Sequence, residues 1–572
     1  MILAFGFAQS DSTAIDLHFK SPKKEKFIDY FNLMQKAVRD YTPRHYFDPY
    51  EGQVINSIEI FIVDRFDEPV YERVCVEDAK FVENKRGKFS SSLIQKQVLF
   101  KVGSTVDPQL VADTERNIRE STIYKDALIK IDPSPFISGV DVKIYAHDNR
   151  HWRALFAGSP TSLKLGANFY DFFGVAQRTG FYGGGLINPT NPYDLGVFYE
   201  VNNIARSQVQ LELNYNRQNL SESYTFSLKR KFFAYNTKYA GKLSISNNAK
   251  KIEDNTISSD YNNRYFHSEI WLARSFALPK FNLKHPTMRF IVSTRGSITK
   301  NYVIPEGQPF QNFVNKQFYL ASFGLANRDW YGFEELYSFR EFDYVPKGFN
   351  IAFIGGYEIN QFLGGRYFSG ITSNYSKQYE KFGFMQNEIK VGAFLRDKRF
   401  EQVTIQSINS YFTNRIKLRK LGFRQFLTTN ATLSFYRPYS EFYNIGSSAI
   451  RGFDTQQLIG TKSFVLNTES VFYTPVKWWT SRGNFFFFAD LGWVGTDNSD
   501  FLFSNTLYQG YGLGIRFQNR ALSINYMEVS FGYYPNGYLV NEKNWGYQVG
   551  EIPPRKIGTN NLFTSDILTD IY

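Results

Sequence analysis

Cysteine is almost missing: Cys75 is the only one in 572 residues. A single thiol excludes an internal disulfide framework and any cysteine-cluster metal site. It reads first as a small buried apolar side chain, ahead of a reactive thiol. Long apolar runs are missing too. No stretch of 18 apolar residues occurs, which excludes a bundle of membrane-spanning helices. Glycine and proline, at 41 and 20 residues, stay near ordinary usage and exclude a collagen-like or low-complexity chain. Catalytic signatures are absent. His18, His45, His147, His151, His267 and His285 fall in no metalloprotease spacing, and there is no G-x-S-x-G elbow. Gly183-Gly184-Gly185 lacks the Lys and Ser/Thr of a phosphate loop and reads as a turn or strand kink. The expectation is no enzyme, no metal and no cofactor.

What is abundant is aromatic: 57 Phe, 39 Tyr and 7 Trp, or 18% of the chain. Disordered chains are poor in such residues. Mean hydropathy is nonetheless low, at −0.36. A chain that is long, aromatic-rich, polar on average and free of apolar runs fits a membrane β-barrel, whose alternating strands dilute their own hydropathy. The formal charge of +12 comes from 66 Lys and Arg spread among 54 acids. Basic runs are short. In Arg415 to Lys420, Arg415, Lys417 and Arg419 alternate with Ile416 and Leu418. That is a strand with one charged face, as at a barrel lumen or rim. Nucleic acid is therefore not the expected partner; anionic lipid headgroups are a second counterpart for the charge.

Residues 1–9, MILAFGFAQ, resemble the end of a secretory signal without its basic start. A helix is then expected after Ser21 and Pro22, with Phe27, Tyr30, Phe31, Met34, Val38 and Tyr41 recurring at spacings of three and four. Its apolar stripe has three possible coverings: its own protein, a membrane surface, or a barrel lumen that it plugs. Residues 43–52 read as linker, closing an N-terminal segment 1–52.

Residues 53–150 read as a small α+β domain. Val54, Ile55, Ile58, Ile60 and Ile62 form a β-rich run. Ser90 to Phe100 reads as a helix stopped by Gly103, and Asp107 starts a second. Strands follow at Ala127, Ile129, Ile131 and at Val140, Val142, Ile144, with Pro133 and Pro135 between them. This order, with Leu99-Phe100-Lys101-Val102-Gly103-Ser104 between the helices, resembles a POTRA domain. Ser104 stands where that family commonly has Asp. The resemblance implies a periplasmic module whose sheet edge is open to an extended peptide.

From residue 151 to about 535, period-two alternation dominates. Val209, Leu211, Leu213 and Tyr215 alternate with polar neighbours; so do Tyr224, Phe226 and Leu228, and Tyr511, Leu513, Ile515 and Phe517. A barrel places such apolar groups toward lipid and the polar ones toward water, and must close, because an open edge in lipid leaves backbone groups unpaired. About 16 antiparallel strands are expected. Near the end, Leu522, Ile524 and Tyr526 share one parity and Met527, Val529, Phe531 and Tyr533 the other. Either a bulge or a strand half-buried on both faces accounts for this. Residues 536–572 read as a tail.

A connection of about 25 residues follows Tyr436 and carries Ser448-Ala449-Ile450-Arg451-Gly452-Phe453. Asn467-Thr468-Glu469 lies on the next strand and Phe488-Ala489-Asp490-Leu491-Gly492 on the one after. By parity, Asp490 and Gly492 face the lumen if Phe485, Phe487, Leu491 and Trp493 face lipid. The ordered trio, on a barrel pattern after a POTRA-like domain, resembles the BamA/TamA superfamily of outer-membrane assembly and translocation barrels (the surface-antigen group), in a short form with one POTRA domain. The resemblance implies that the loop folds into the lumen and Arg451 meets Asp490 and Glu469. A guanidinium fork suits two carboxylates. Gly452 would allow a tight tip, and Phe453 would pack on the inner wall.

The same resemblance implies an outer-membrane location with the N-terminal domain in the periplasm. It also implies an unfolded polypeptide client passed from POTRA domain to barrel, and accessory periplasmic or lipoprotein partners. Two other functions stay open: a two-partner-secretion-like transporter with an N-terminal plug helix, and a barrel that anchors a partner without transporting.

Overall fold

The computed structural model describes residues 43–63, nearly all of 91–148 and most of 151–550. Cys75, the expected N-terminal helix, the signal-like start, the tail beyond 550, and Gly452 and Phe453 lie outside the described residues. The chain separates into one unit ending at Asn149 and another beginning at Arg150.

In the first unit, α1 (Pro43–Phe47) precedes β1 (Ile55–Val63), α2 (Ser91–Gln95), α3 (Pro108–Glu120), β2 (Tyr124–Pro133) and β3 (Val140–Asp148). The sheet order is β1-β3-β2, with β1 and β3 parallel and β2 and β3 antiparallel. Asp107 caps α3: its carboxylate accepts from Gln109 N at 3.0 Å and Leu110 N at 3.2 Å, with Pro108 in the first turn. Val111 and Ile118 of α3 are buried with Ile129, Val142 and Ile144. Polar ties fix the helix further. Glu115 accepts from Ile129 N at 2.9 Å, and Arg119 pairs with Asp126 at 2.8 Å. Gly103 has φ +81, a conformation that suits the turn where the sequence places it. There Ser104 donates Oγ to Lys101 O at 2.6 Å. The helix expected over 90–100 is only α2. The turn ends with Val98 N bonded to Ile94 O, after which the chain extends and Phe100 is buried.

The second unit is a closed, antiparallel barrel of 20 wall strands. Six short strands come first: β4 (Trp152–Ser159), β5 (Ser162–Tyr170), β6 (Gln177–Leu186), β7 (Asp194–Ile204), β8 (Val209–Gln218) and β9 (Ser221–Arg230). Eight long ones follow: β10 (Tyr239–Glu253), β11 (Asp260–Ala277), β12 (Met288–Val303), β13 (Lys316–Glu334), β14 (Phe342–Asn360), β15 (Gly364–Tyr379), β16 (Gly383–Arg396) and β17 (Arg399–Phe412). The three-residue β18 (Ile416–Leu418) pairs with β19 (Leu421–Phe435), which also pairs with β17. Two-residue strands β20 (Tyr443–Asn444) and β21 (Ile459–Gly460) pair within the next connection. The wall resumes with β22 (Lys462–Trp478), β23 (Ser481–Gly495), β24 (Leu507–Asn519), β25 (Ile524–Tyr533) and β26 (Trp545–Gly550), and β26 returns to β4.

The expected count of about 16 is thus corrected to 20. One strand, β26, lies in the expected tail. Others are hidden by tight connections: β16 and β17 are joined through Asp397 and Lys398 alone.

Parity governs the wall. On β15, Tyr367 and Ile371 are exposed outward while Arg366 and Phe368 are buried. Leu165, Phe181, Ile270, Leu272, Phe323, Phe353 and Leu513 continue the outward apolar surface, as lipid contact requires. Inward charges are paired across strands: Arg178 with Glu200 at 2.6 Å, Arg295 with Glu269 at 3.1 Å. The irregularity near the end is a register shift between the pairs Phe517–Met527 and Asn519–Ile524, so β25 carries one extra residue.

Candidate functional site

The site is built by register. Strands β22 and β23 place Glu469 opposite Phe488 and Asn467 opposite Asp490. Strands β23 and β24 place Phe488 opposite Gly512, Phe486 opposite Gly514 and Asp490 opposite Gly510. Strands β24 and β25 place Arg516 opposite Glu528. All these side chains point inward, because alternation puts Phe487 and Leu513 on the outer surface.

Arg451 enters from the connection between β19 and β22. Its Nε donates to Asp490 Oδ2 at 2.8 Å and its Nη2 to Asp490 Oδ1 at 3.2 Å. Its Nη1 donates to Glu469 Oε2 at 3.1 Å, and its backbone N–H to Asp490 Oδ2 at 3.1 Å. Asp490 is fully buried. The guanidinium lies 3.8 Å from the centre of the Phe488 ring. This is a two-point carboxylate grip combined with cation–π stacking.

Arg516 repeats the arrangement one layer along. Its Nε donates to Glu528 Oε2 at 2.8 Å and its Nη2 to Glu469 Oε2 at 3.0 Å. It stacks 3.9 Å from the centre of the Phe486 ring. Glu469 is therefore shared by two arginines, and the charge chain runs Asp490, Arg451, Glu469, Arg516, Glu528. Among these five the formal charges are three negative and two positive.

The rings that carry the arginines need space, and glycines supply it. A Cβ at Gly512 would overlap the Phe488 ring, and one at Gly514 would meet the Phe486 ring. A Cβ at Gly492 would overlap the side chain of Ile450, which is fully buried beside Arg451. Small residues on β23 and β24 thus let the loop and both rings lie close against the wall backbone.

Of the residues singled out from the sequence, Arg451, Glu469, Phe488, Asp490 and Gly492 come together here. Gly452 and Phe453 lie outside the described residues. Sequence reasoning missed Arg516, Glu528, Phe486, Gly512 and Gly514. Arg516, Gly512 and Gly514 were visible as one inward parity of β24, but nothing in the pattern indicated which neighbour each would meet. Among the described residues no cluster of His, Cys, Asp and Glu suits a metal ion.

The barrel closes between its last and first described wall strands. Among the described residues, β26 and β4 are paired at Val549–Gly158 and Gly550–Ala157. Glu528, the last carboxylate of the charge chain, is paired in register with Gly550 at this joint.

No protein-family model and no curated protein matches the chain. Solved structures do. CdiB from Escherichia coli is similar at 12% identity over 88% of this chain and 76% of that one, with a TM-score of 0.44. CdiB from Acinetobacter baumannii is similar at 11% identity over 91% and 80%, with a TM-score of 0.42. BamA from Haemophilus ducreyi lacking POTRA domains 1–3 is similar at 11% identity over 86% and 84%, with a TM-score of 0.35. These are likenesses of barrel architecture at low identity, and no residue role follows from them.

Proposed function

We propose that the chain is an outer-membrane barrel of the BamA/TamA type that assembles or translocates polypeptides. The observation that carries this reading is Arg451. A loop arginine is gripped by Asp490 and Glu469 on neighbouring strands and stacked on Phe488, the arrangement that the ordered sequence trio implies. Such a lock ties Arg451 to the inner wall without closing the wall chemically, which suits a protein that must rearrange to work. No covalent step is required, and the protein is not an enzyme in this reading.

The joint between β26 and β4 supplies the means. It joins the last described wall strand to the first, and parting it would free an edge that is a template for an incoming strand. The first unit would act from the periplasm as a single POTRA domain. Its sheet ends in β1 on one side and β2 on the other, and either edge could receive an extended client. Membrane lipid and an unfolded polypeptide are the partners this reading requires.

The test is a reversible lock. In a Cys75→Ser background, Val549→Cys with Gly158→Cys should join β26 to β4 by a disulfide. If the joint must part, oxidation stops activity in native membranes and a reductant restores it. Full activity of the locked protein would eliminate lateral opening. Cross-linking to a client in the lumen would then indicate conduction through the pore, and the absence of any client cross-link an anchoring role.

A further inference from the structure

The barrel has two mouths, and the one remote from Arg451 is also built. Strands β9, β13, β17 and β22 run the same way in the antiparallel wall, and β22 runs away from the Arg451 loop. The connections after β9, β13 and β17 therefore lie together at the opposite mouth. The first two turn inward, and from the third the Arg415 side chain reaches in.

After β9, Phe232 is buried against Trp271, and Arg328 of β13 donates Nη2 to Phe232 O at 3.0 Å. After β13, Leu336 is buried among Phe333, Val345, Phe384 and Phe412. The turn is bonded from four directions. Asp343 Oδ2 accepts from Tyr337 N at 2.8 Å and Leu336 N at 3.2 Å. Arg424 of β19 donates Nη1 to Glu335 O at 3.2 Å, and the Tyr473 hydroxyl of β22 donates to Leu336 O at 3.2 Å. Arg415, after β17, pairs with the Glu335 carboxylate at 2.8 Å. Glu335 itself sits at φ +50, a left-handed conformation that persists only where its surroundings hold it.

Geometry shows what this crossing means. Strands β13 and β22 are six neighbours apart in the wall. At about 4.8 Å per strand they are separated by roughly 29 Å of wall. Yet the β13 turn and a β22 side chain touch. The turn bridges the sector; it does not follow the wall. Barrels of 16–18 strands leave an aqueous channel, and larger ones are commonly filled. This one, with 20 strands, has ample width to be narrowed.

We propose that the two inward turns, braced by Arg415 from the third connection, form a built-in constriction, a shelf spanning the wall from β9 to β22 at the mouth opposite the Arg451 loop. It restricts this mouth to ions and a single extended chain, where the bare wall would admit large solutes. The inference does not depend on the proposed function, since a shelf narrows the pore whether or not a client exists.

Single-channel conductance and neutral-polymer exclusion in planar bilayers test it on the full chain and on a chain lacking residues 10–45, so that an N-terminal plug cannot mask the result. Leu336→Gly with Tyr337→Gly and Tyr473→Phe removes the bridge. The expected result is a severalfold rise in conductance and entry of larger polymers in at least the shortened chain. Retained heat-modifiable mobility shows the barrel intact. If that variant does not fold, Tyr473→Phe with Arg415→Gln leaves the aromatic cluster in place and should produce frequent larger-conductance openings. Wild-type conductance and polymer cut-off in a folded variant, in both backgrounds, would overturn the proposal. Because no client takes part, failure here is separate from failure of the joint-locking experiment.

Discussion

Replacing Arg451 with alanine gives the sharpest test of the lumen lock. The sequence alone suggests that two carboxylates would be left facing each other. The geometry alters that expectation. Glu469 keeps Arg516, which reaches both of its oxygens. The loss falls on Asp490, which is fully buried and was held by two guanidinium nitrogens. Breaking a buried pair typically costs about 3–5 kcal/mol. A water-accessible lumen lowers this, and the lost stacking on Phe488 adds about 1 kcal/mol. An overall cost of about 3 kcal/mol for loop docking follows, which is roughly a 100-fold shift in the docked population. Arg451→Lys keeps the charge and loses the fork, so about a tenfold shift is expected. The wall should survive, since its hydrogen bonds close without the loop. Protease cleavage within 436–461, measured from outside intact cells, reads the undocked population when redocking is fast. Asp490→Asn should resemble Arg451→Ala, and the double variant should fall well short of the product of the two. Multiplicative effects, or a loop in Arg451→Ala as protected as in the wild type, would refute the reasoning.

Other outcomes follow from the same structure. The native chain should fractionate with the outer membrane and shift on heating in gels; recovery from the soluble fraction without detergent would contradict a lipid-facing wall. Gly512→Val should push Phe488 off the wall and expose the loop to protease much as Arg451→Ala does, while Gly355→Ala, where no atom lies within 4 Å of the new Cβ, should leave loop protection unchanged. Glu528→Gln should weaken the hold of Arg516 and raise loop cleavage less than Arg451→Ala, although residue 528 does not touch the loop; protection equal to wild type would show that the charge chain ends at Glu469. Deleting residues 10–45 should raise conductance if the N-terminal helix plugs the lumen, and unchanged conductance would place it elsewhere.

The barrel was legible because lipid and water impose opposite demands on alternate residues, as at Tyr511, Leu513 and Ile515. Counting its strands was harder. Where β16 meets β17 only Asp397 and Lys398 intervene, and a two-residue connection leaves little compositional trace. Around the site, inward parity identified Asp490 and the motif identified Arg451. Arg516 and Glu528 escaped because a directly opposed pair on β24 and β25 depends on register, and the parity switch in the last strand suggests a bulge without giving the partner of each residue. The inward turn at Glu335 was illegible for a different reason. Its partners Arg424 and Tyr473 are 89 and 137 residues away, and only closure of the wall brings them near.

The unequal length of the wall strands has a consequence for the surrounding bilayer. β13 and β14 have 19 residues each, whereas β4 has 8 and β5 has 9. At about 3.3 Å per residue the tall side runs roughly 60 Å along the strand and the short side only about 26–30 Å. A hydrocarbon layer about 30 Å thick cannot match both, even allowing for strand tilt. On the tall side the strands project into water as a palisade. On the short side the two leaflets must draw together to meet a low wall, at a modest cost for every ångström of mismatch. The lipid beside β4 and β5 is therefore already strained before anything arrives, and a segment entering there meets the thinnest part of the membrane that this protein touches.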